Sequence, residues 1–145
     1  MQSLNPATSN QQRKTSVFLV DDDPDTLGML KKSLDSFGYS TYGFVNPVAA
    51  LEHFKMNPRG YQIALIDVRM PAMNGFQLSR EIRSINPDVK IILMTGFEAS
   101  LAEVKSVMPS LKIDGMISKP VTLEKFRMIL ESLENGYAHV MVDSA

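Results

Sequence analysis

Cysteine is absent from the 145 residues, which excludes disulfides, thiolate nucleophiles and zinc–thiolate centres. Excess charge of either sign is also missing. Fifteen basic residues stand against 16 acidic ones, a net of −1, whereas nucleic-acid-binding domains usually carry a basic surplus. Apolar runs are short, far below the roughly 20 residues that a membrane helix needs. The opening stretch MQSLNPATSNQQRKT is polar throughout and lacks the apolar centre of a secretory signal. These absences create the expectation of a cytoplasmic protein that contacts neither membrane nor nucleic acid through this segment. The length suits one domain with a proper core.

Residues 1–14 are rich in Ser, Asn and Gln, without periodicity. They read as a disordered N-terminal arm. From 15 to 136, short apolar runs alternate with helical patterns. SVFLV (Ser16–Val20) reads as a buried strand, and Asp23-Pro24 as the cap and first residue of a helix carrying Leu27, Leu30, Leu34 and Phe37 on one face. Gly38 ends that helix. A second strand (Tyr39–Phe44) precedes a short helix capped by Asn46-Pro47, with Val48, Leu51 and Phe54. A third strand (Tyr61–Ile66) precedes a helix marked by Leu78, Ile82 and Ile85. A fourth strand (Val89–Met94) precedes a weaker helical pattern of Leu101, Val104 and Val107, bounded by Pro109. A fifth strand (Gly115–Ser118) leads to a last helix, capped by Thr122 and carrying Leu123, Phe126, Leu130 and Leu133.

Five β/α units in succession, with strands apolar on both faces, predict an α/β fold. The expected form is a doubly wound (βα)5 arrangement around a parallel five-stranded sheet. The segment 137–145 reads as a C-terminal tail, leaving open a frayed end, an extra edge strand or a linker stub.

In such a sheet the functional site lies at the carboxyl ends of the strands. There the sequence places Asp21, Asp22 and Asp23 after the first strand, Asp67 after the third, Thr95-Gly96 after the fourth, and Lys119-Pro120 after the fifth. Taken singly, each has an ordinary role as a cap or a turn. Together they bring carboxylates, a hydroxyl and an ammonium to one place. Close carboxylates raise one another's pKa unless a cation compensates. An all-oxygen donor set without His or Cys favours Mg²⁺. Lys119 adds a point charge of the kind that partners phosphate, and a carboxylate can accept a phosphoryl group covalently. The chemistry indicated is phosphoryl transfer to Asp67.

The segments FLVDDDPD, LIDVRMPAMNG, MTG and SKP resemble the signature of the response-regulator receiver domain of two-component signalling, over about Thr15 to Gly136. The resemblance implies a CheY-like, flavodoxin-like sheet of strand order 2-1-3-4-5. It also implies a phosphorelay role, in which Asp67 takes a phosphoryl group from a histidine kinase or phosphotransfer protein. Mg²⁺ would be held by Asp22, by Asp21, by Asp67 and by the backbone carbonyl of Arg69. Thr95 and Lys119 would contact the phosphoryl group. The same resemblance implies an output surface, for a partner or for a homodimer, formed by the helix of Leu101–Val107, the fifth strand and the last helix. Turnover of an external substrate is not expected.

Three departures qualify the resemblance. Asn74 replaces the aspartate common before the loop glycine. Met116 stands at the fifth-strand switch position where an aromatic residue usually pairs with the threonine, so Thr95 and Met116 form the expected switch here. Arg69 and Phe97 occupy the two positions that tune dephosphorylation; both are bulky, which predicts a long-lived phosphoryl state. His53 and His139 read as surface residues. The competing enzyme reading is a small Mg²⁺-dependent phosphatase of haloacid-dehalogenase type using Asp21 as nucleophile, with Asp23 completing a D-x-D motif. It finds no use for Asp67. A pseudo-receiver that docks without phosphorylation would have no reason to keep the crowded acids.

Overall fold

The computed structural model describes residues 14–96, 106 and 109–142. The arm expected over 1–14 falls almost wholly outside them. The helix expected at Leu101, Val104 and Val107, and the residue Phe97, also lie outside the described residues. Among the described residues the elements are β1 (Ser16–Val20), α1 (Pro24–Ser36), β2 (Ser40–Phe44), α2 (Pro47–Met56), β3 (Ile63–Asp67), α3 (Gly75–Ile85), β4 (Lys90–Thr95), β5 (Gly115–Ser118), α4 (Leu123–Glu134) and β6 (Val140–Val142).

All neighbouring strands pair in parallel, in the order β2-β1-β3-β4-β5-β6. The first five strands therefore follow the expected 2-1-3-4-5 order. The chain runs outward from β1 to β2, then returns past β1 to β3. The direction of winding reverses between β1 and β3, and their carboxyl ends form the crevice where such sheets bind ligands.

Alternation along the strands divides the core into two. Phe18, Val20, Ala64, Ile66, Ile91, Leu93 and Met116 face α2 and α3, meeting Ala50, Leu51, Phe54, Leu78 and Ile82. Val17, Leu19, Ile63, Leu65, Ile92, Met94 and Ile117 face α1 and α4, meeting Leu30, Leu34, Phe126 and Ile129. Phe37, Tyr39, Tyr61 and Val89 fall just outside the elements expected to hold them. Phe37 lies beyond α1 as its C-cap and is 51% exposed, with the Arg127 guanidinium 5.4 Å from its ring centre. Tyr61 precedes β3, and its ring packs against those of Phe18, Tyr42 and Phe54.

The expected five-stranded sheet gains a sixth strand. After α4, Gly136 takes φ +90° and its N–H donates to the Leu133 carbonyl, closing the helix. The chain then turns through His139, at φ 56°, and runs beside β5 with Gly115, Met116 and Ile117 in register with Val140, Met141 and Val142. A three-residue apolar stretch has too few periods to be told from a loop in the sequence alone. His53 and His139 are both exposed, as expected.

Candidate functional site

Each acid reaches the crevice for a local reason. Asp67 ends β3 and follows Ile63 and Leu65 on the face that packs on α1 and α4. By the same alternation Asp21 follows Val17 and Leu19, and Lys119 follows Ile117. Asp21 is fully buried and Asp67 is 5% exposed. Asp21 is held by the turn that starts α1. The Asp23 backbone N–H donates to Asp21 Oδ1 at 3.0 Å, while the Asp23 carboxylate accepts from the Asp25 N–H at 3.3 Å and the Thr26 hydroxyl at 2.6 Å. Asp23 is thus a cap that also fixes the orientation of Asp21, a link the residue spacing did not show.

Lys119 joins β1 and β3 electrostatically. Its ammonium lies 3.1 Å from Asp21 Oδ2 and 3.3 Å from Asp67 Oδ1. Asp21, Asp22 and Asp67 each present a carboxylate oxygen within 4.8 Å of the others, with Asp22 exposed at the mouth. Burial, then the neighbouring Asp21 charge, raises Asp67 from 3.8 to about 6, against the opposing pull of Lys119. Burial works against the charge on Lys119, but Asp67 and Asp21 outweigh it and hold the ammonium above its ordinary pKa. The Thr26 hydrogen bond leads the effects that lower Asp23.

The three acids suit a hard divalent cation. Asp21 Oδ2 is buried and has its ion pair with Lys119 but no well-directed hydrogen bond. One ammonium also leaves three converging carboxylates under-compensated. Oxygen donors alone, partly open to water at Asp22, match Mg²⁺.

The loop after Asp67 is shaped by backbone contact and by the cap of α3. Asn74 is the N-cap of α3, exchanging hydrogen bonds with Gln77 in a capping box. The residue in the left-handed region is Ala72, at φ 72°. Gly75 starts α3 with its N–H donating to the Val68 carbonyl at 2.8 Å. A Cβ there would lie 2.3 Å from the Asp67 carbonyl oxygen, so only glycine lets the helix approach β3 this closely. Met70 is buried and Met73 half-buried.

Thr95 ends β4, 2% exposed, and its carbonyl accepts from the Lys119 N–H at 2.7 Å. Thr95 is in register with Ser118 and Leu93 with Met116, so Met116 lies diagonally from Thr95 on the same face of the sheet, fully buried. Arg69 is exposed, two residues past Asp67.

The family model described as "Response regulator receiver domain" matches residues 17–131. The response regulator receiver protein CpdR of Brucella abortus (strain 2308) is 35% identical over 107 residues, 74% of this chain and 86% of that protein. The C4-dicarboxylate transport transcriptional regulatory protein DctD of Rhizobium meliloti (strain 1021) is 37% identical over 81 residues, covering 56% of this chain but 17% of that protein. The autoinducer 1 sensor kinase/phosphatase LuxN of Vibrio campbellii is 30% identical over 127 residues, 86% of this chain and 14% of that protein. The chain therefore spans most of CpdR and a small part of the longer relatives. Among solved structures, a CheY-like receiver domain protein from Methanospirillum hungatei JF-1 is 28% identical at a TM-score of 0.73, covering 86% of this chain and 100% of that one. No helix among the described residues is long and apolar enough to cross a membrane.

Proposed function

The chain belongs to the response regulator receiver family of two-component signalling, and from that membership we propose that Asp67 is its phosphoacceptor, working with Mg²⁺ inside the cytoplasm. The observation that carries the reading is the Lys119 ammonium lying 3.1 Å from Asp21 and 3.3 Å from Asp67. A positive charge thus lies beside the acid that ends β3.

In the proposed reaction an Asp67 carboxylate oxygen attacks the phosphorus of a phosphohistidine on a histidine kinase or phosphotransfer protein. The new O–P bond forms as the P–N bond breaks, and the electron pair leaves with the imidazole nitrogen. Asp21, Asp22, Asp67 and the Arg69 carbonyl would hold the cation, which when bound supplies charge neutralisation for the transferring group. Lys119 keeps its charge through burial because two carboxylates face it, and it is in place to pair with a phosphoryl oxygen. Thr95 would donate to another such oxygen. Exposed Met29, near Thr26 and Val121 beside Lys119, offers a donor protein an apolar footing next to the site. A homodimer through β5, α4 and the expected Leu101–Val107 helix remains part of the proposal.

The phosphatase alternative is not favoured. Asp21 is fully buried with both oxygens engaged, and Asp23 is committed to capping α1. The test is labelling with acetyl phosphate and Mg²⁺, followed by peptide mapping. Label on Asp67, lost in Asp67→Ala, is expected. Lys119→Ala should still take some label while uncoupling the output. Label on Asp21, or full labelling of Asp67→Ala, overturns the assignment.

A further inference from the structure

Strand β6 has a position that the receiver chemistry leaves unused. It is the sole neighbour of β5 on the side away from β4 among the described residues. Its hold is slight. The Val140 N–H donates to the Asp114 carbonyl at 2.9 Å, and His139 Nδ1 lies 2.9 Å from the Ile113 carbonyl. Val142 is buried at 9% exposure, whereas Val140 and Met141 are only half-buried. Gly115 admits this strand closely: a Cβ there would lie 3.0 Å from the Val140 carbonyl oxygen and 2.3 Å from Ile129 Cδ1.

The other end of β5 leads directly into the site. Ser118 is followed by Lys119, whose backbone N–H is tied to Thr95 and whose ammonium reaches Asp67 on β3. In the sheet order β3-β4-β5-β6, Asp67 lies inward of β5 and β6 lies outward. An added phosphoryl charge on Asp67 strengthens the inward pull on Lys119, and hence on the end of β5. That direction is away from β6. Met116, unbranched and fully buried, is in register with Met141 and gives the β5–β6 contact a side-chain pair that can repack.

We propose that β6 is a releasable strap on the outer edge of β5, docked when Asp67 is free and loosened when Asp67 carries a phosphoryl group. Its release leaves the outward amides and carbonyls of Gly115–Ile117 without their β6 partners. The inference rests on the phosphoacceptor reading, and one sample separates the two.

The full chain, with Mg²⁺ and with or without beryllofluoride, is followed by ¹⁹F NMR for occupancy and by amide hydrogen exchange at Val140–Val142. Loading should speed exchange there at least tenfold, with the amides of β1 and β3 unchanged. Absence of a protein-bound fluoride signal overturns both readings. A bound signal with unchanged β6 exchange overturns the strap alone. Val142→Lys supplies the reciprocal arm. It undocks β6 without touching the site, so coupling requires beryllofluoride affinity to rise by the same factor that loading speeds exchange. Unchanged affinity in a folded Val142→Lys variant also overturns the strap.

Discussion

Replacing Asp67 with asparagine should make the pH dependence of metal-free stability shallower, by an amount the structure specifies. Burial and the Asp21 charge raise Asp67 from 3.8 to about 6. Its folded-state pKa therefore exceeds the unfolded one, and the native protein holds this proton more tightly. The resulting stabilisation is complete below 3.8 and is lost as pH rises through about 6. Roughly 2 pK units at about 1.36 kcal/mol each give a full contribution of about 3 kcal/mol. The side chain is 8% exposed, so solvent screening removes little of it. Between pH 5 and pH 7.5 the linkage relation assigns this one group a loss of about 1.4 kcal/mol. Asparagine, which does not titrate, loses none.

Urea unfolding by circular dichroism in EDTA, at both pH values and for both proteins, measures the double difference. Asp23 and Asp35, whose pKa values are lowered, contribute in the opposite direction but cancel between the two proteins. A double difference near zero, or one in which the variant loses more stability than the wild type, refutes the account of Asp67 as a desolvated, repelled carboxylate. Adding Mg²⁺ at pH 7.5 should restore stability to the wild type and give the variant much less.

Other consequences are equally direct. Gly75→Ala should lower stability by about 1–3 kcal/mol, because the new Cβ forces α3 away from the Asp67 carbonyl, and acetyl phosphate labelling should slow with it. Arg83 donates to the carbonyls of Pro87, Val89 and Lys112 and to the Asp114 carboxylate. Arg83→Met should therefore lower stability by about 2–4 kcal/mol in urea while leaving the site of labelling unchanged. Phosphorylated protein should keep its label well beyond seconds, given Arg69 and Phe97 at the tuning positions; loss within seconds, followed by acid-quenched radiolabel, contradicts this. Asn74→Ala removes the capping box and should lower the urea midpoint by an amount equivalent to about 1 kcal/mol.

The sequence by itself determined the class of fold and which residues lie at the carboxyl ends of the strands. Short strands apolar on both faces require cover on both sides, and an acid or lysine directly after a strand must emerge at its carboxyl end. That logic puts Asp21, Asp22, Asp67, Thr95 and Lys119 at the carboxyl ends of their strands, and there they lie. Tertiary structure decided what depends on distant segments meeting. The need for glycine at Gly75 comes from a carbonyl eight residues back along the chain. Asn74 is a helix cap because α3 begins there, and Ala72 takes the left-handed conformation instead. Asp23 orients Asp21 through a backbone amide that no spacing rule shows. β6 exists as a strand only because the edge of β5 is there to receive it: three residues hold too little local preference to set their own conformation, and pairing with a neighbour supplies the rest.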